Sequence, residues 1–294
     1  MIGWLPVLAG WLLAAGAADR LPDIVLITAD TLRADYLGSY GCPWPTSPHV
    51  DQLAADALVF DDCICDVPLT APSIGAMFTS QPPRMHGATR NGMMIHEDAP
   101  LLAEELKKAG YETACVQSTW TLKGRLCGLN RGFDRYDEDF HQKRWGIVIP
   151  ERRAEEVTDR ALAMLADRDP EKPLFLWVHY IDPHAPYIAH QGFNPAGKKP
   201  WGESPKDRAR MRYASEIAYM DNQIGRLLSQ LPAAACIIFT ADHGESLYEH
   251  GYRGHGRHVY QDNLHIPLLL KAPGISPGRS SIPAQGMDLA PTIL

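Results

Sequence analysis

The sequence has 294 residues, of which 45% are hydrophobic and 21% are charged, so it can bury the core of one large domain or of two small ones. Its net charge of -7, with lysines and arginines scattered along the chain, excludes the basic surface typical of nucleic-acid binding, and we expect no nucleic-acid partner. The six cysteines have neither the CxxC pairs of a zinc ribbon nor the density of a small disulfide-stabilised domain.

The first 18 residues carry no charged side chain and end in small residues that resemble a signal-peptidase site. Residues 1–18 therefore predict a signal peptide and an exported protein that is periplasmic, secreted or anchored on the outer face of a membrane. Because the start of this segment has no basic residue, an uncleaved membrane anchor or a buried first element is the alternative. We expect contact with a membrane only through this segment.

Strands and helices are predicted to alternate along the rest of the chain. Five apolar runs predict strands buried on both faces, namely residues 23–30, 112–118, 173–180, 235–242 and 266–271. Four stretches have apolar side chains at helical spacing, namely residues 50–57, 99–109, 151–167 and 204–231. The last helix is the clearest, with Ser204 as its N-cap, Pro205 at its first position and Pro232 beyond its end. This alternation predicts an α/β fold with a mainly parallel central sheet.

Residues 67–80 place a hydroxyl group, Thr70, at the start of a further, apolar helix. Pro72 suits the first turn of this helix, where a missing N–H group costs nothing. Thr70 would then lie at a helix N-terminus, whose partial positive charge would favour a nucleophile that attacks an oxyanion. Taken alone, the segment favours the simpler interpretation that Thr70 or Ser73 caps the helix.

Polar side chains follow three of the predicted strands. Asp30 ends the first strand, His184 follows the third, and Asp242 and His243 end the fourth. Because the carboxyl ends of parallel strands share one edge of a sheet, we expect these side chains to meet there. Carboxylates and imidazoles suit one divalent cation such as Mn²⁺, Zn²⁺, Mg²⁺ or Ca²⁺. Such an ion would lower the pKa of a bound hydroxyl and neutralise an oxyanion, both of which Thr70 needs as a nucleophile.

Each of these residues also has a simpler interpretation. Asp30 could cap a helix, His243 could be a turn histidine, and the prolines around His184 could form only a turn. Polar residues at the end of a buried strand are costly unless they bind something, which favours a site at Asp242 and His243. Residues 249–258 add three histidines in a Gly-rich stretch, which predicts either a metal-binding tract or a flexible polar loop.

Five ordered segments together carry a family pattern. They are IVLITADTLRADYLG at 24–38, SPHVDQLA at 47–54, TAPS at 70–73 with PRMHG at 83–87, HYIDPHAPY at 179–187, and TADHGE at 240–245 with His255 after it. This pattern resembles the sulfatase family of the alkaline phosphatase superfamily. The resemblance implies a sulfatase-like catalytic domain over residues 23–294, built as a three-layer α/β sandwich. It also implies a smaller C-terminal subdomain after Leu294, so we expect the domain to be incomplete here.

The resemblance also assigns roles to individual residues. It implies a metal ion held by Asp30, Asp242 and His243. Asn91 is similar to a residue that contacts a substrate oxygen in the family. Histidines at the positions of His184 and His255 in that family contact the transferred group or protonate the leaving oxygen.

Two departures from the family pattern change the expected chemistry. Thr70 stands where the usual sulfatases have a cysteine that is oxidised to formylglycine, and Ile74 stands where they have an arginine. Neither Cys63 nor Cys65 has a proline two residues later, so formylglycine cannot form. Thr31 stands where the family often has a second acid, so we expect a lighter site with one divalent ion, although a second is an alternative.

Thr70 in place of the cysteine favours phosphate chemistry. A sulfated formylglycine can eliminate its sulfate, whereas a threonyl sulfate or phosphate must be displaced, which is easier for phosphate in a metal site. Relatives of the superfamily with threonine are phosphatases, phosphodiesterases and phosphoethanolamine or glycerophosphate transferases. We therefore expect a metal-dependent phosphoesterase, a hydrolase or transferase that acts on small-molecule, glycan-linked or lipid-linked esters.

Two alternatives to this function come from the same residues. One is a sulfuric-ester hydrolase that uses Thr70 directly, and the other is a non-catalytic, sulfatase-like binding protein. The presence of Asp30, Thr70, Asp242 and His243 together argues against the non-catalytic alternative, since chance rarely places such a set at strand ends.

Overall fold

The computed structural model describes residues 21–139, 151–195 and 204–294. The predicted signal peptide at residues 1–18 lies outside this part of the chain. Across the described ranges, no helix combines the length and apolar character that a membrane span requires.

The described strands are short except at the centre of the sheet. In chain order they are β1 (Ile24–Ala29), β2 (Leu58–Phe60), β3 (Cys63–Ile64), β4 (Glu112–Val116), β5 (Arg135–Asp137), β6 (Leu174–Tyr180), β7 (Cys236–Ala241), β8 (Ser246–Leu247), β9 (Arg253–Gly254), β10 (Leu268–Lys271), β11 (Gly278–Ser280) and β12 (Ala284–Gln285). The helices are α1 (Pro48–Ala55), α2 (Thr70–Thr79), α3 (Pro83–His86), α4 (Leu102–Lys108), α5 (Gly124–Cys127), α6 (Ala154–Ala166), α7 (Pro205–Leu228), α8 (Gln261–Leu264) and α9 (Leu289–Ile293).

The central sheet has eight strands in the order β11-β2-β10-β7-β1-β6-β4-β5. From β7 to β5 every neighbouring pair is parallel, whereas β10 runs antiparallel to both β7 and β2. The predicted α/β class with a mainly parallel sheet is therefore confirmed. The sequence analysis missed β2, β5 and β11, because three residues are too few to show a periodic pattern.

Helices cover both faces of this sheet. Successive side chains of a strand point to opposite faces, and on β6 Trp177 lies against Phe78 of α2 with ring centroids 4.6 Å apart. Tyr180, three positions later, points the other way and pairs with the hydroxyl of Thr158 on α6 at 2.8 Å. Helices α1, α6 and α7 pack together on that second face, and α2 packs with α4 on the first. The predicted three-layer sandwich is confirmed.

The strand register sets the position of the site. Ala29, the last residue of β1, pairs with Tyr180 of β6 and with Ala241 of β7. Asp30 and Asp242 therefore leave the sheet side by side at its carboxyl edge. All six residues of β1 are buried, which matches its apolar sequence.

Several predicted element ends were wrong by two or three residues, among them both ends of α1, the starts of α4 and α6 and the end of β4. Prolines account for two further differences. Helix α7 ends at Leu228 rather than at residue 231, because Pro232 disfavours helical backbone in the residues just before it. Strand β10 begins at Leu268 rather than at residue 266, because Pro267 has no N–H group to donate to a neighbouring strand.

The start of α7 is confirmed and supports a prediction on stability. The Ser204 hydroxyl accepts the N–H of Asp207, and the Asp207 carboxylate accepts the N–H of Ser204. Replacing Ser204 with alanine removes this cap and is expected to lower the free energy of unfolding by about 1 kcal/mol, measured by urea denaturation. Ser204→Thr keeps a capping hydroxyl and is the matched control. An unchanged midpoint in the alanine variant would contradict a capping role.

Candidate active site

Three buried polar atoms converge where β1 and β7 end. The site contains Asp30, Asp242 and His243, whose ligand atoms lie within 4.8 Å of one another. The His243 Nε2 atom is 3.5 Å from Asp242 Oδ2 and 4.0 Å from Asp30 Oδ1. Among the described residues these three atoms have no hydrogen-bond partner, although all three side chains are buried. Such groups are costly in a protein interior unless they bind something.

The hydrogen bond of His243 fixes the chemistry of its ring. Nδ1 lies 2.9 Å from the backbone carbonyl of Gly244, which can only accept a proton, so Nδ1–H is the donor. Burial, with nearby His255, lowers the pKa of His243 to about 3, so the ring is neutral near pH 7. Nε2 therefore presents a lone pair toward the two carboxylates, as a metal-ligating histidine does.

The two carboxylates differ in their surroundings. Burial tends to raise the pKa of Asp30, but the histidines around it, His179 first, outweigh burial and lower its pKa. Burial, followed by repulsion from Asp30, raises the pKa of Asp242 well above its usual range. Two acids and a neutral imidazole nitrogen therefore face one another at the end of β1 and β7. This donor set fits a divalent cation that prefers oxygen with some nitrogen.

Residue Thr31 holds Asp242 in place with its backbone. Its N–H group donates to Asp242 Oδ1 at 3.0 Å, and the N–H group of His243 donates to the same oxygen at 2.7 Å. Thr31 has a φ of 57°, in the left-handed region that a β-branched residue rarely adopts. Backbone strain of this kind is concentrated at functional sites, where the surrounding structure maintains it. Thr31, which stands where the family often has a second acid, thus contributes a backbone N–H donor to Asp242.

Thr70 is the first residue of α2 and lies beside this cluster. Its hydroxyl donates to Asp30 Oδ2 at 3.5 Å, and the residue is 2% exposed. The N-cap of α2 is Leu69, and no side chain caps the helix. Ser73 instead donates to the backbone carbonyl of Asp242 at 2.6 Å and so ties α2 to the end of β7. The interpretation of Thr70 or Ser73 as a simple cap is therefore wrong.

The N-terminus of α2 also contacts Asn91. The Asn91 side-chain oxygen accepts the N–H group of Ala71 at 2.9 Å, which places its amide next to Thr70. Asn91 is half-buried in the loop after α3. Asn91, the predicted substrate contact, thus lies at the N-terminal end of α2, and its side-chain oxygen accepts a hydrogen bond there, so the NH₂ group is the part of the amide that could donate to a substrate.

His184 and His255 lie beside the cluster. The ring of His255 lies 4.5 Å from that of His243 and 5.3 Å from that of His184. His255 Nδ1 is 3.2 Å from Glu245 Oε1, so this nitrogen is the donor and Nε2 is left for another group. Burial opposes the cation, but Glu245 outweighs it and raises the pKa of His255. The interpretation of His184 as only a turn residue does not account for this position.

The histidines of residues 249–258 do not converge on one point. His250 stacks on Tyr260 at 3.7 Å, and His258 packs on Tyr252 at 4.6 Å, whereas His255 faces His243. Among the described residues, the group of Asp30, Asp242 and His243 is the one with three ligands in reach. A separate metal-binding histidine tract in this loop is therefore not seen in that part of the chain.

Ile74 and the two cysteines before α2, Cys63 and Cys65, are buried. Ile74, at the position of the family arginine, is fully buried in α2 and makes no polar contact. The six cysteines are all free thiols, and Cys63 and Cys65 are buried on and beside β3 rather than in α2. Burial raises the pKa of both thiols, which makes them poor nucleophiles.

Sequence reasoning did not single out Glu245 as a partner of His255, or Thr28 as part of the site. Glu245 is completely buried, and its contact with His255 depends on a loop that returns ten residues later. Thr28 is a hydroxyl residue in an otherwise apolar strand, and this interruption was the available signal. The partner of Thr28 is His179, 151 residues away, which no local pattern identifies.

Comparison with known proteins gives a consistent set of relatives. The family model described as Sulfatase matches residues 22–294. The ulvan-active sulfatase of Formosa agariphila is 26% identical over 319 residues, which cover 93% of this chain and 61% of that protein. The choline-sulfatase of Rhizobium meliloti is 23% identical over 342 residues, which cover 92% of this chain and 67% of that protein. This chain thus spans about two thirds of the length of these relatives.

The fold is also similar to that of a solved phosphonate monoester hydrolase. The structure of the Agrobacterium radiobacter enzyme matches with a TM-score of 0.75 at 20% identity. The match covers 93% of this chain and 73% of that one. At this level of identity the similarity concerns the fold alone.

Proposed function

This chain belongs to the sulfatase family, and we propose that it is a metal-dependent enzyme that hydrolyses phosphate esters or transfers their phosphoryl group through Thr70. The observation that carries the proposal is the position of the Thr70 hydroxyl. It lies at the N-terminus of α2, 3.5 Å from Asp30, next to three buried ligand atoms without partners. A hydroxyl nucleophile, a cation site and a helix N-terminus at one point form a complete site for attack on an anionic ester.

The cation would be held by Asp30 Oδ1, Asp242 Oδ2 and His243 Nε2. When bound, a divalent ion supplies positive charge that stabilises an alkoxide and the oxyanion of the transferred group. The neutral state of His243 and the hydrogen bonds to Asp242 Oδ1 hold these ligands in position without it. The donor set admits Mn²⁺, Zn²⁺, Mg²⁺ or Ca²⁺.

Side chains of this protein would carry out the steps of the reaction. The Thr70 hydroxyl passes its proton to Asp30 Oδ2, to which it donates, and its oxygen bonds to phosphorus while the bond from phosphorus to the leaving oxygen breaks. His184 or His255 donates a proton to that leaving oxygen, and Glu245 orients His255 for this role. Water, or the hydroxyl of an acceptor, next attacks phosphorus and releases Thr70. The partial positive charge at the N-terminus of α2 and the Asn91 NH₂ group would stabilise the charge that develops on the phosphoryl oxygens.

Export and the substrate class complete the proposal. The uncharged, signal-like segment at residues 1–18 supports an exported enzyme that is periplasmic, secreted or anchored on the outer face of a membrane. Relatives with names such as ulvan-active sulfatase and choline-sulfatase support a glycan-linked or small-molecule ester as the substrate.

A sulfuric-ester hydrolase that uses Thr70 directly is the second candidate. The specific observation in its favour is that the curated relatives described above carry sulfatase names. The difference between the candidates is the second step, since release of a threonyl sulfate needs displacement at sulfur rather than at phosphorus. Thr70 in place of the cysteine favours the phosphate-ester candidate.

A panel of aryl esters tests the proposal. Purified protein with added Mn²⁺ is expected to turn over an aryl phosphate, phosphodiester or phosphonate at least about tenfold faster than the aryl sulfate, as judged by kcat/KM. Protein treated with a chelator is the matched control and is expected to lose this turnover. Faster turnover of the sulfate would favour the second candidate. No turnover of any ester, with Mn²⁺ bound at the site, would favour the non-catalytic alternative.

A further inference from the structure

A chain of buried polar groups runs from the centre of the sheet to Asp30. The Trp177 indole Nε1–H donates to the Thr28 hydroxyl oxygen at 2.9 Å. The same oxygen lies 2.7 Å from Nδ1 of His179. The other ring nitrogen of His179, Nε2, lies 3.7 Å from Asp30 Oδ2. All four side chains are buried, so each proton in the chain needs a protein partner.

The hydrogen-bond donors in this series of buried groups allow one consistent arrangement of protons. The indole N–H of Trp177 can only donate, so the Thr28 oxygen accepts there. The Thr28 hydroxyl must then donate its own proton to another acceptor. Among the described residues its other close neighbour is His179 Nδ1. If Thr28 donates to Nδ1, that nitrogen carries the lone pair and the ring proton is on Nε2.

The opposite tautomer fits poorly. With Nδ1–H as the donor, the Thr28 proton would have no acceptor in the described part of the site. The Nε2 lone pair would also face the acceptor oxygens of Asp30, a repulsive pairing in a buried environment. Both costs disappear when Nε2 carries the proton. The spacing of 3.7 Å is longer than a hydrogen bond, and closing it to about 3.0 Å would form one.

We propose that Trp177 and Thr28 form a hydrogen-bond relay that fixes His179 as its Nε2–H tautomer, and that His179 thereby positions the carboxylate of Asp30. His179 is a positioning residue here, because it acts through Asp30 rather than on the substrate. Its significance for the reaction rests on the proposed function, whereas the tautomer itself does not.

The relay divides the two oxygens of Asp30 between different tasks. Oδ2 faces the His179 Nε2–H and also accepts from the Thr70 hydroxyl at 3.5 Å. Oδ1 has no partner and points toward His243 Nε2 at 4.0 Å. A donor on Oδ2 therefore keeps Oδ1 turned toward the cation site. It also excludes His179 from the ligand set, since a protonated nitrogen has no lone pair to offer.

Nuclear magnetic resonance reads this tautomer directly. In metal-free, ¹⁵N-labelled protein without substrate, long-range ¹H–¹⁵N correlation spectra distinguish a protonated ring nitrogen from an unprotonated one. The signals of His179 are those that vanish in His179→Gln. We expect Nε2 to be protonated and Nδ1 unprotonated in the wild type. Thr28→Val, of nearly the same shape, removes the donor to Nδ1 and is expected to move the Nδ1 resonance to that of an unprotonated nitrogen without a hydrogen bond. Thr28→Ser is expected to retain the wild-type resonance.

Titration calorimetry with Mn²⁺ alone tests the effect on Asp30. Thr28→Val is expected to bind Mn²⁺ about tenfold more weakly than the wild type, a typical effect of losing an outer hydrogen bond at a metal site. Thr28→Ser is expected to stay within about threefold. Trp177→Phe, which removes the indole donor together with one ring of the side chain, is the second variant if Thr28→Val does not fold.

Several results would overturn the inference. They are a protonated Nδ1 in the wild type, an Nδ1 resonance that is unchanged in Thr28→Val, or Mn²⁺ affinity that is equal in the wild type and the valine variant. A wild type that fails to bind Mn²⁺ would count against the proposed function, while the tautomer in the same sample still decides the relay.

Discussion

Replacing Thr70 with alanine is expected to reduce kcat/KM for the preferred ester by about 10³-fold or more. The reason is that the hydroxyl is the nucleophile, and removal of a nucleophile leaves only the stabilisation that the rest of the site provides. Thr70 is buried beside Asp30 and is not one of the three ligands of the cation site. Mn²⁺ affinity by calorimetry is therefore expected to change by less than about fivefold, which separates loss of chemistry from loss of the site.

The same helix offers a matched control for this variant. Thr79, at the other end of α2, is also buried and donates its hydroxyl to the carbonyl of Gly75 at 2.7 Å. Thr79→Ala removes an equal number of atoms from α2 and is expected to keep kcat/KM within about threefold. Thr70→Ser retains a hydroxyl and is expected to retain measurable turnover. Equal activity of Thr70→Ala and wild type, on the same ester and with the same bound Mn²⁺, would rule out Thr70 as the nucleophile.

A covalent intermediate gives this prediction a second measurement. If Thr70 is phosphorylated during turnover, rapid acid quenching followed by peptide mass spectrometry is expected to find one phosphate on the peptide that contains residues 67–80. In the Thr79→Ala variant the corresponding peptide, altered only by the substitution, should carry the same single phosphate, because Thr79 is not the acceptor. Phosphate on Ser73 instead would identify Ser73, one helical turn away, as the nucleophile.

The placement of the ligands could be predicted because it depends on strand direction. Asp30 and Asp242 each follow an apolar run, and parallel strands bring such residues to one edge whatever the length of chain between them. The start of α2 could be predicted in the same way, from Pro72 and the apolar residues after it. These features follow from local pattern and one topological rule.

The finer arrangement could not be predicted, because it depends on partners that are distant in sequence. Thr28 meets His179 across 151 positions, and Ser73 meets the carbonyl of Asp242 across 169. Tautomers and orphaned lone pairs follow from such contacts and have no signature in the sequence. The strained backbone of Thr31 is another example, since a threonine there predicts extended rather than left-handed backbone.

Replacing Asp242 with asparagine is expected to have opposite effects with and without the cation. In metal-free protein at pH 8, the variant is expected to unfold with a free energy about 1–3 kcal/mol higher than the wild type. Asparagine keeps the Oδ1 that accepts from Thr31 and His243. It replaces Oδ2, 3.5 Å from His243 Nε2, with an NH₂ group that can donate to that orphaned atom, and it removes a buried charge beside Asp30.

The pH dependence of this difference follows from the raised pKa of Asp242. The folded state binds the Asp242 proton more tightly than the unfolded state, so the wild type loses stability relative to the variant as pH rises above about 4. The advantage of Asp242→Asn, measured by urea denaturation in chelator, is therefore expected to be larger at pH 8 than at pH 5. A constant difference would mean that Asp242 ionises freely in the folded protein.

Binding of the cation is expected to make the wild type more stable than Asp242→Asn. Mn²⁺ at 100 times its Kd should stabilise the wild type by about 2.7 kcal/mol, and this gain should vanish in Asp242→Asn. Asp221→Asn is the matched control, because Asp221 is equally buried but accepts from the N–H groups of His49 and Val50 and contacts the His49 ring. An NH₂ group facing those donors should destabilise the protein with or without Mn²⁺. If Asp242→Asn behaves like Asp221→Asn, the carboxylates at the end of the sheet are structural and do not form a cation site.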